Sequence, residues 1–587
     1  MAFLAVCGGV LNIFNIISPQ IITAMFFIGQ IFFVVLLYTK RNFVKEWFLT
    51  INLNKCQSYI YLTLFILLGV VLILFLLSAN GHFFNEHDDF HAYLVYPYKM
   101  LQTGSLGIEP FNERRLGIYG GLSFLQTMII GVFNIHQPHL METGLSWVII
   151  IALILGYGRQ KNWIIFIIIA FLLHFVKMPS VNSSSLLSGS ALFLTIIISY
   201  KFLQKENINA RIFIISVAAA GLCSLKSSFI PACGLILLLL FLFAREKAIP
   251  IKYRIGDTIL IGILVIFFLL PWMIAMHQSN ATFLYPLLGN GIHGSTYSSF
   301  PHNTCGSFNA ISLKIGFRHL FIENPFLLSM VLLGLSLFKR GKNSVQFKIG
   351  LSVFIGSWPF IFMLYIISGG ISRYTFPISF AVILFQLCDF FYDVHTIQYR
   401  IAVFNKARFN ILVLIFSFIL IFSTFGWRSW QRDKEAITHP KSAWNEKYAQ
   451  QIRKAQQTVP KGTPLLSRVS MAHMLDFTHN QVFTVDWPGG SGPAPGLPCF
   501  GKAEELVEYL LQHNIRYIIY SYGDESGHSR KKYQHRLRFP GWYMFGRVKK
   551  LAEYSFAFQD RLVELKNKYK NLYHDKRFVV IDISIEK

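Results

Sequence analysis

Runs of about 20 apolar residues, separated by short basic clusters, recur along most of this chain and leave few folds open to it. Hydrophobic residues make up 53% of its 587 residues and charged residues only 14%, against about a quarter in a soluble domain. Lipid cannot satisfy backbone hydrogen bonds, so apolar segments of this length cross a bilayer as α-helices. The pattern therefore predicts a polytopic α-helical membrane protein.

The basic residues set the direction in which the spans run. The formal net charge is +25, but Lys and Arg stand mostly in short clusters between apolar runs, as in cytoplasmic loops that face anionic lipid. Membrane lipid is therefore an expected partner, and nucleic acid is not. The cluster at Lys40 and Arg41 follows two short spans broken near Ser18-Pro19. Placing that cluster in the cytoplasm sends the next span, 59–78, outward.

The same alternation places the later spans. They are expected near 142–158, 162–177, 186–203, 209–225, 229–244, 255–275, 326–338, 349–368, 371–392 and 409–427. Every later basic cluster then lies inside, provided that the mildly apolar stretch 117–133 is a helix along the outer surface. The prediction is about thirteen spans in a membrane domain of residues 1–428, with external loops at 79–140 and 277–324.

Residues 429–587 have a different character. Their composition is polar, and the strand-like segments 482–485, 517–520 and 578–581 alternate with helical stretches such as 503–514. Strands interleaved with helices indicate a small α/β domain. The count of spans places it outside the cell, which its basic charge permits because long domains cross a membrane regardless of charge. We therefore expect a C-terminal soluble extracytoplasmic α/β domain.

The first external loop contains the segment His87-Asp88-Asp89-Phe90-His91. Adjacent carboxylates beside a membrane are costly unless they are used. One could serve as a general base, and the pair could hold a divalent cation as a cofactor. The alternative is that they cap the helix beginning near Phe90, with ordinary interfacial histidines beside them. The sequence predicts Asp88 and Asp89 as catalytic, with His87 and His91 orienting them or binding substrate.

A phosphate leaving group would need cations on the same outer face. Lys99, Arg114 and Arg115 stand in the first external loop, Lys226 is isolated between two apolar runs, and Arg373 opens a late span. Arginine suits phosphate because its planar fork of donors matches phosphate oxygens. The alternatives are a snorkelling Lys226, an arginine pair among lipid headgroups, and an Arg373 that pairs with Glu109 or Glu113.

In their order and sidedness these features resemble the polyprenyl-phosphate-sugar-dependent glycosyltransferases of the GT-C superfamily, among them protein mannosyltransferases and aminoarabinose transferases of lipid A. Asp88-Asp89 is similar to the acidic pair of their first large external loop. Two further sequence elements are similar to elements of the family: Pro271-Trp272 followed by Phe283-Leu284-Tyr285-Pro286, and Arg373-Tyr374-Thr375-Phe376-Pro377. A soluble external domain after the membrane spans is also typical of the family. The chain departs in having Asn182 where many relatives carry an acid, and in lacking an Arg after Trp272.

The resemblance implies an inverting transfer of a sugar from a polyprenyl-phosphate donor to an extracytoplasmic glycan, lipid or protein. It implies an enzyme of the plasma membrane, the bacterial inner membrane, with Tyr285 and Tyr374 at the substrate site beside the acidic and basic residues. Other interpretations are a transporter or flippase of a lipid-linked substrate, a polysaccharide polymerase or ligase, and a non-catalytic glycan-assembly subunit. The two departures keep the last one open.

Overall fold

The computed structural model describes residues 1–39, 89–133, 140–158, 185–202, 208–244, 249–285, 326–368, 375–392, 444–521 and 545–587, with a few isolated positions between them. The described residues before 393 are almost wholly helical. Their α-helices are α1 (Ala2–Ile13), α2 (Pro19–Thr39), α3 (Val95–Thr103), α4 (Gly121–Phe133), α5 (Ser146–Gly158), α6 (Leu186–Phe202), α7 (Ile208–Leu225), α8 (Ile230–Phe243), α9 (Ile251–Asn280), α10 (Phe326–Arg340), α11 (Val345–Ser368) and α12 (Phe376–Tyr392).

A helix coincides with each predicted span that falls within the described residues. Four of these helices, α2, α7, α9 and α11, are long and apolar enough to cross a membrane. The other apolar helices among the described residues are shorter. The predicted spans 59–78, 162–177 and 409–427 lie outside the described residues, so the total of about thirteen stays a prediction.

Helices α7 and α12 form the centre of the bundle. Helix α7 packs against α1, α6 and α9, and α12 packs against α6, α10 and α11. The break predicted near Ser18-Pro19 separates α1 from α2 and receives the end of α3. There Ile17 N donates to Gly104 O over 3.0 Å, and Leu106 N donates to the Asn12 side chain over 2.7 Å. The segment after α3 is thus joined directly to the bundle.

The helix predicted from residue 117 begins at Gly121, four residues later. Gly120 has a φ of 131°, which an L side chain rarely adopts. The Trp272 ring lies so close to Gly120 that a Cβ there would overlap it. Trp272 is fully buried, and its Nε1 donates to Ala5 O over 2.8 Å. The tryptophan of the Pro-Trp pair therefore joins α9, α1 and the start of α4.

The C-terminal residues form a five-stranded sheet with helices against it. The strands are β1 (Pro464–Arg468), β2 (Gln481–Thr484), β3 (Tyr517–Ser521), β4 (Tyr569–His574) and β5 (Phe578–Glu586), and the helices are α13 (Glu446–Gln456), α14 (Ala503–Gln512) and α15 (Phe545–Lys568). The strand order is β2-β1-β3-β5-β4, with β1 parallel to β2 and β3, and β5 antiparallel to β3 and β4. The predicted strands are present, within one residue at their starts. We use "carboxyl edge" for the shared end of β1 and β2, residues 468–471 and 484–487.

Candidate functional site

Asp89 opens a π-helix, Asp89–Tyr93, directly before α3. The residue is 1% exposed, so its carboxylate is withdrawn from water. Short π-helical turns are rare and recur at functional sites. The position at the start of a helix is also what the capping alternative predicts. Asp88 and His87 lie outside the described residues, so a shared cation site stays a prediction.

His91 is buried and contacts the C-terminal sheet. Its Nδ1 lies 3.2 Å from Val469 O, at the carboxyl edge. A carbonyl oxygen can only accept, so this contact places a proton on Nδ1. His91, which the sequence predicts to orient the carboxylates, thus also contacts the carboxyl edge, one residue after β1.

Arg114 is engaged with the same edge. Its guanidinium donates to Asp486 Oδ2 over 2.9 Å and lies 4.8 Å from the centroid of the Trp487 ring. Asp486 also accepts from the backbone N–H groups of Glu113, at 2.9 Å, and Arg114, at 3.3 Å. Because an interior carboxylate already neutralises Arg114, its charge is less available for a ligand than that of Arg115.

Arg115 has a different environment from its neighbour. The residue is 0% exposed, and its Nη1 donates to Ile118 O and lies 3.6 Å from Met276 Sδ. Among the described residues, its Nε and Nη2 have no hydrogen-bond partner. Burial lowers the pKa of the guanidinium to about 10, which leaves it charged at neutral pH. An interior cation with two donors unused among the described residues is a candidate binding site for an anion.

Other unpaired polar groups surround Arg115. Tyr96 is fully buried, and its hydroxyl has no partner among the described residues. Burial, reinforced by the charges of Asp486 and Glu109, raises the Tyr96 pKa well above its ordinary value, so the hydroxyl stays a neutral donor. Asn280 lies one helical turn after Met276 and is 0% exposed; within the described part of the chain neither polar atom of its side chain is bonded. Among the described residues, unmet hydrogen-bonding capacity is therefore concentrated at the C-terminal end of α9.

Lys226 reaches the same region from α7. The residue is 7% exposed and follows the last residue of that helix. The adjacent Ser227 Oγ donates to Gly117 O over 3.4 Å, and Ser224 contacts Gly121. The structure thus brings Lys226 beside the segment that follows Arg115; a shared phosphate site for the two cations stays a prediction.

Tyr285 is half-buried in the turn after α9. This turn is held near the site because Tyr119 Oη donates to Phe283 O over 2.9 Å. Arg373 and Tyr374 lie outside the described residues, so their place at the site stays a prediction. Within the described ranges, no group of three or more His, Cys, Asp or Glu side chains is arranged to hold a metal ion.

Sequence reasoning gave no role to Asn112 or Asp486, which help to hold this region together. It placed Lys99 only among the cations for a phosphate, and Glu109 only as an alternative partner of Arg373. Lys99 and Glu109 form a buried ion pair of 2.7 Å, and Glu109 also accepts from Thr484 N and Oγ1. Asn112 Nδ2 donates to Thr484 Oγ1 over 3.0 Å and to His91 O over 3.4 Å. Asp486 was missed because the segment after it reads only as a Pro/Gly loop.

No family model and no curated protein matches this sequence. Solved structures are similar in fold, among them the archaeal oligosaccharyltransferase AglB from Archaeoglobus fulgidus in complex with an inhibitory peptide and a dolichol-phosphate. The identity is 11%, the TM-score 0.46, and the match covers 88% of this chain and 73% of that one. The likeness concerns the fold alone.

Proposed function

We propose that this protein is an integral membrane glycosyltransferase that moves a sugar from a polyprenyl-phosphate donor to an extracytoplasmic acceptor. The observation that carries the proposal is Arg115, a fully buried guanidinium whose Nε and Nη2 are unpaired among the described residues. Leaving such donors unpaired costs about 1–3 kcal/mol for each group. The phosphate of the donor would satisfy them through the paired bonds that arginine forms with phosphate oxygens.

The phosphate would lie between the outer ends of α7 and α9, where Lys226 adds a second positive charge. The Tyr96 hydroxyl and the Asn280 amide would donate to the remaining phosphate oxygens. The apolar exterior of the helices suits the polyprenyl tail, and Tyr285, with Arg373 and Tyr374, would border the sugar. At the edge of the site, Arg114 would contribute positive charge, and His87 and His91 would orient the carboxylates or bind the substrate.

In the proposed reaction, Asp88 or Asp89 takes the proton from an acceptor hydroxyl. The hydroxyl oxygen attacks the anomeric carbon from the face opposite the phosphate, so the configuration of that carbon is inverted. The bond from the anomeric carbon to the phosphate oxygen breaks, and polyprenyl phosphate leaves with the electron pair. Arg115 and Lys226 stabilise the negative charge that develops on it.

The acceptor would be a cell-envelope glycan, lipid or protein on the outer side of the plasma membrane, in bacteria the inner membrane. The C-terminal domain, residues 429–587, would lie on that side and the membrane domain would end near residue 428. A divalent cation held by Asp88 and Asp89 is compatible with this chemistry, since one carboxylate would then bind metal and the other act as base.

The test is native mass spectrometry of purified wild-type protein and of an Asp88→Asn/Asp89→Asn variant, each before and after addition of an envelope extract as acceptor. We expect a bound polyprenyl-phosphate sugar that the wild type converts to polyprenyl phosphate and the variant retains. The control is Asp560→Asn, which removes only an exposed ion pair with Arg530. A variant that consumes the donor as fast as the wild type contradicts the assignment of the carboxylates, and a protein free of such lipids contradicts the proposed function.

A further inference from the structure

The carboxyl edge of the C-terminal sheet contacts both parts of the candidate site. On one side, β1 leads to Val469, whose carbonyl oxygen binds His91, two residues after Asp89. On the other side, β2 leads to Asp486, which accepts two backbone N–H groups and the guanidinium at Glu113 and Arg114, directly before Arg115. Because β1 and β2 are hydrogen-bonded neighbours, the sheet sets a fixed distance between these two contacts.

Between the two contacts, further bonds join the external loop to β2. Thr484 donates through both N and Oγ1 to the Glu109 carboxylate, at 3.1 and 3.0 Å. Asn112 Nδ2 donates both to Thr484 Oγ1 and to His91 O. One amide group therefore connects the segment with Asp89, the segment with Arg115 and the sheet.

In parallel α/β sheets, the carboxyl ends of the strands are the usual place for a ligand. Here the first external loop of the same chain occupies that place, with Glu109 and Asp486 both 0% exposed. The 3-10 turn after β1 adds to the contact, since the His473 ring lies 5.5 Å from the ring of Phe90. The sheet thus uses its ligand-binding edge to hold part of the membrane domain.

We propose that this carboxyl edge positions the first external loop for the transfer reaction, with Asp486 as the main positioning residue. The proposal rests on the proposed function, since it takes Asp89 and Arg115 as the groups to be held. Loss of Asp486 would release the segment 113–117 and move the Arg115 guanidinium relative to the phosphate. The C-terminal domain would then be a working part of the site even though no reacting group lies in it.

The test compares Asp486→Asn with Asp582→Asn in the full-length protein in lipid nanodiscs. Asn can still accept from Glu113 N, but its amide hydrogens face the donors of Arg114. Asp582 is the matched control: it is 2% exposed and binds an arginine in the same sheet, with Arg516 Nε at 2.9 Å, but lies level with the first residue of β3, away from the carboxyl edge. Thr484→Val is a second test variant, of nearly unchanged volume.

The first readout is hydrogen–deuterium exchange of peptides covering 107–118. We expect about tenfold faster exchange in Asp486→Asn and Thr484→Val than in the wild type or Asp582→Asn, since about 1.4 kcal/mol of local stability corresponds to a factor of ten. Unchanged exchange in both test variants would overturn the proposal. This readout needs no transferase activity.

The second readout is transfer kinetics with the co-purified donor. We expect kcat to fall about tenfold or more in Asp486→Asn, with a smaller change in the acceptor KM, because the phosphate cation is displaced and the acceptor side is not. Faster exchange at an unchanged kcat would also overturn the proposal. A wild type without transfer would contradict the proposed function instead, and the exchange comparison would still decide whether Asp486 holds the loop.

Discussion

Arg114 and Arg115 are neighbours in the sequence, but their side chains differ in burial and in the groups that they contact. Arg114 lies against an interior carboxylate and an indole ring. Arg115 is buried more completely, and among the described residues only its Nη1 is bonded. A buried guanidinium without a counter-ion is tolerated where a ligand supplies the missing charge, because the penalty is offset when the ligand binds.

This contrast predicts opposite effects of the same substitution at the two positions. Arg115→Met removes, at similar volume, an interior charge and two donors that are unpaired among the described residues. The free energy of unfolding of the ligand-free protein should therefore stay the same or rise by about 1–2 kcal/mol. Arg114→Met strands the Asp486 carboxylate and should lower that free energy by about 2–3 kcal/mol. Thermal unfolding in detergent, followed by tryptophan fluorescence, measures both.

The same pair of variants separates binding from stability. Purified Arg115→Met should retain at least tenfold less polyprenyl phosphate than the wild type, measured by lipid extraction and mass spectrometry. A destabilised Arg115→Met that still retains the lipid would show that the guanidinium serves the fold and not the donor.

At the scale of elements, what the sequence predicts well is what depends on local composition. Apolar runs placed the helices, and the Ser18-Pro19 break separates α1 from α2 as expected. Alternating strand and helix signals located β2, β3 and β5. The start of α4 was wrong by four residues because a ring 152 positions away along the chain, that of Trp272, decides where that helix begins. The bonds from Asp486 to Glu113 and Arg114 could not be predicted either, since they join residues more than 370 positions apart.

The junction at Gly120 gives a sharp prediction about α4. Gly120→Ala combines a φ of 131° with overlap of the Trp272 ring, so it should destabilise the protein by about 2–4 kcal/mol and reduce its yield from membranes. Gly117→Ala, three residues earlier, is the matched control, because a Cβ there meets nothing within 4 Å, and should change stability by less than about 0.5 kcal/mol. Equal unfolding midpoints for the two variants would contradict the close packing of the Trp272 ring against Gly120.

For the molecule as a whole, basic residues at the ends of α6 and α10 meet the end of α12 and indicate how the bundle is oriented in a membrane. Lys201 near the end of α6 and Arg340 at the end of α10 both bind Asp389 in the last turn of α12, and the neighbouring Lys339 donates to Phe390 O over 2.7 Å. At the other end of α6, the Glu142 carboxylate accepts from Leu187 N over 2.8 Å, about 20 Å away by helical rise. Gly189, in the first turn of α6, lies against the ring of Phe229, three residues after Lys226. The basic cluster and the candidate site thus lie towards opposite faces of the bundle.

Basic clusters stay in the cytoplasm, so this arrangement predicts that the C-terminal sheet lies outside. A reporter that is active only outside the cytoplasm, fused after Lys587, should be active. The same reporter inserted after Arg245, in the basic sequence between α8 and α9, should be inactive. A green fluorescent protein at each position should give the reverse pattern. Activity of the external reporter at residue 245 and not at the C-terminus would invert the topology, placing Asp89, Arg115 and the carboxyl edge in the cytoplasm. The donor would then have to present its sugar from the inner leaflet, which the proposed reaction does not allow.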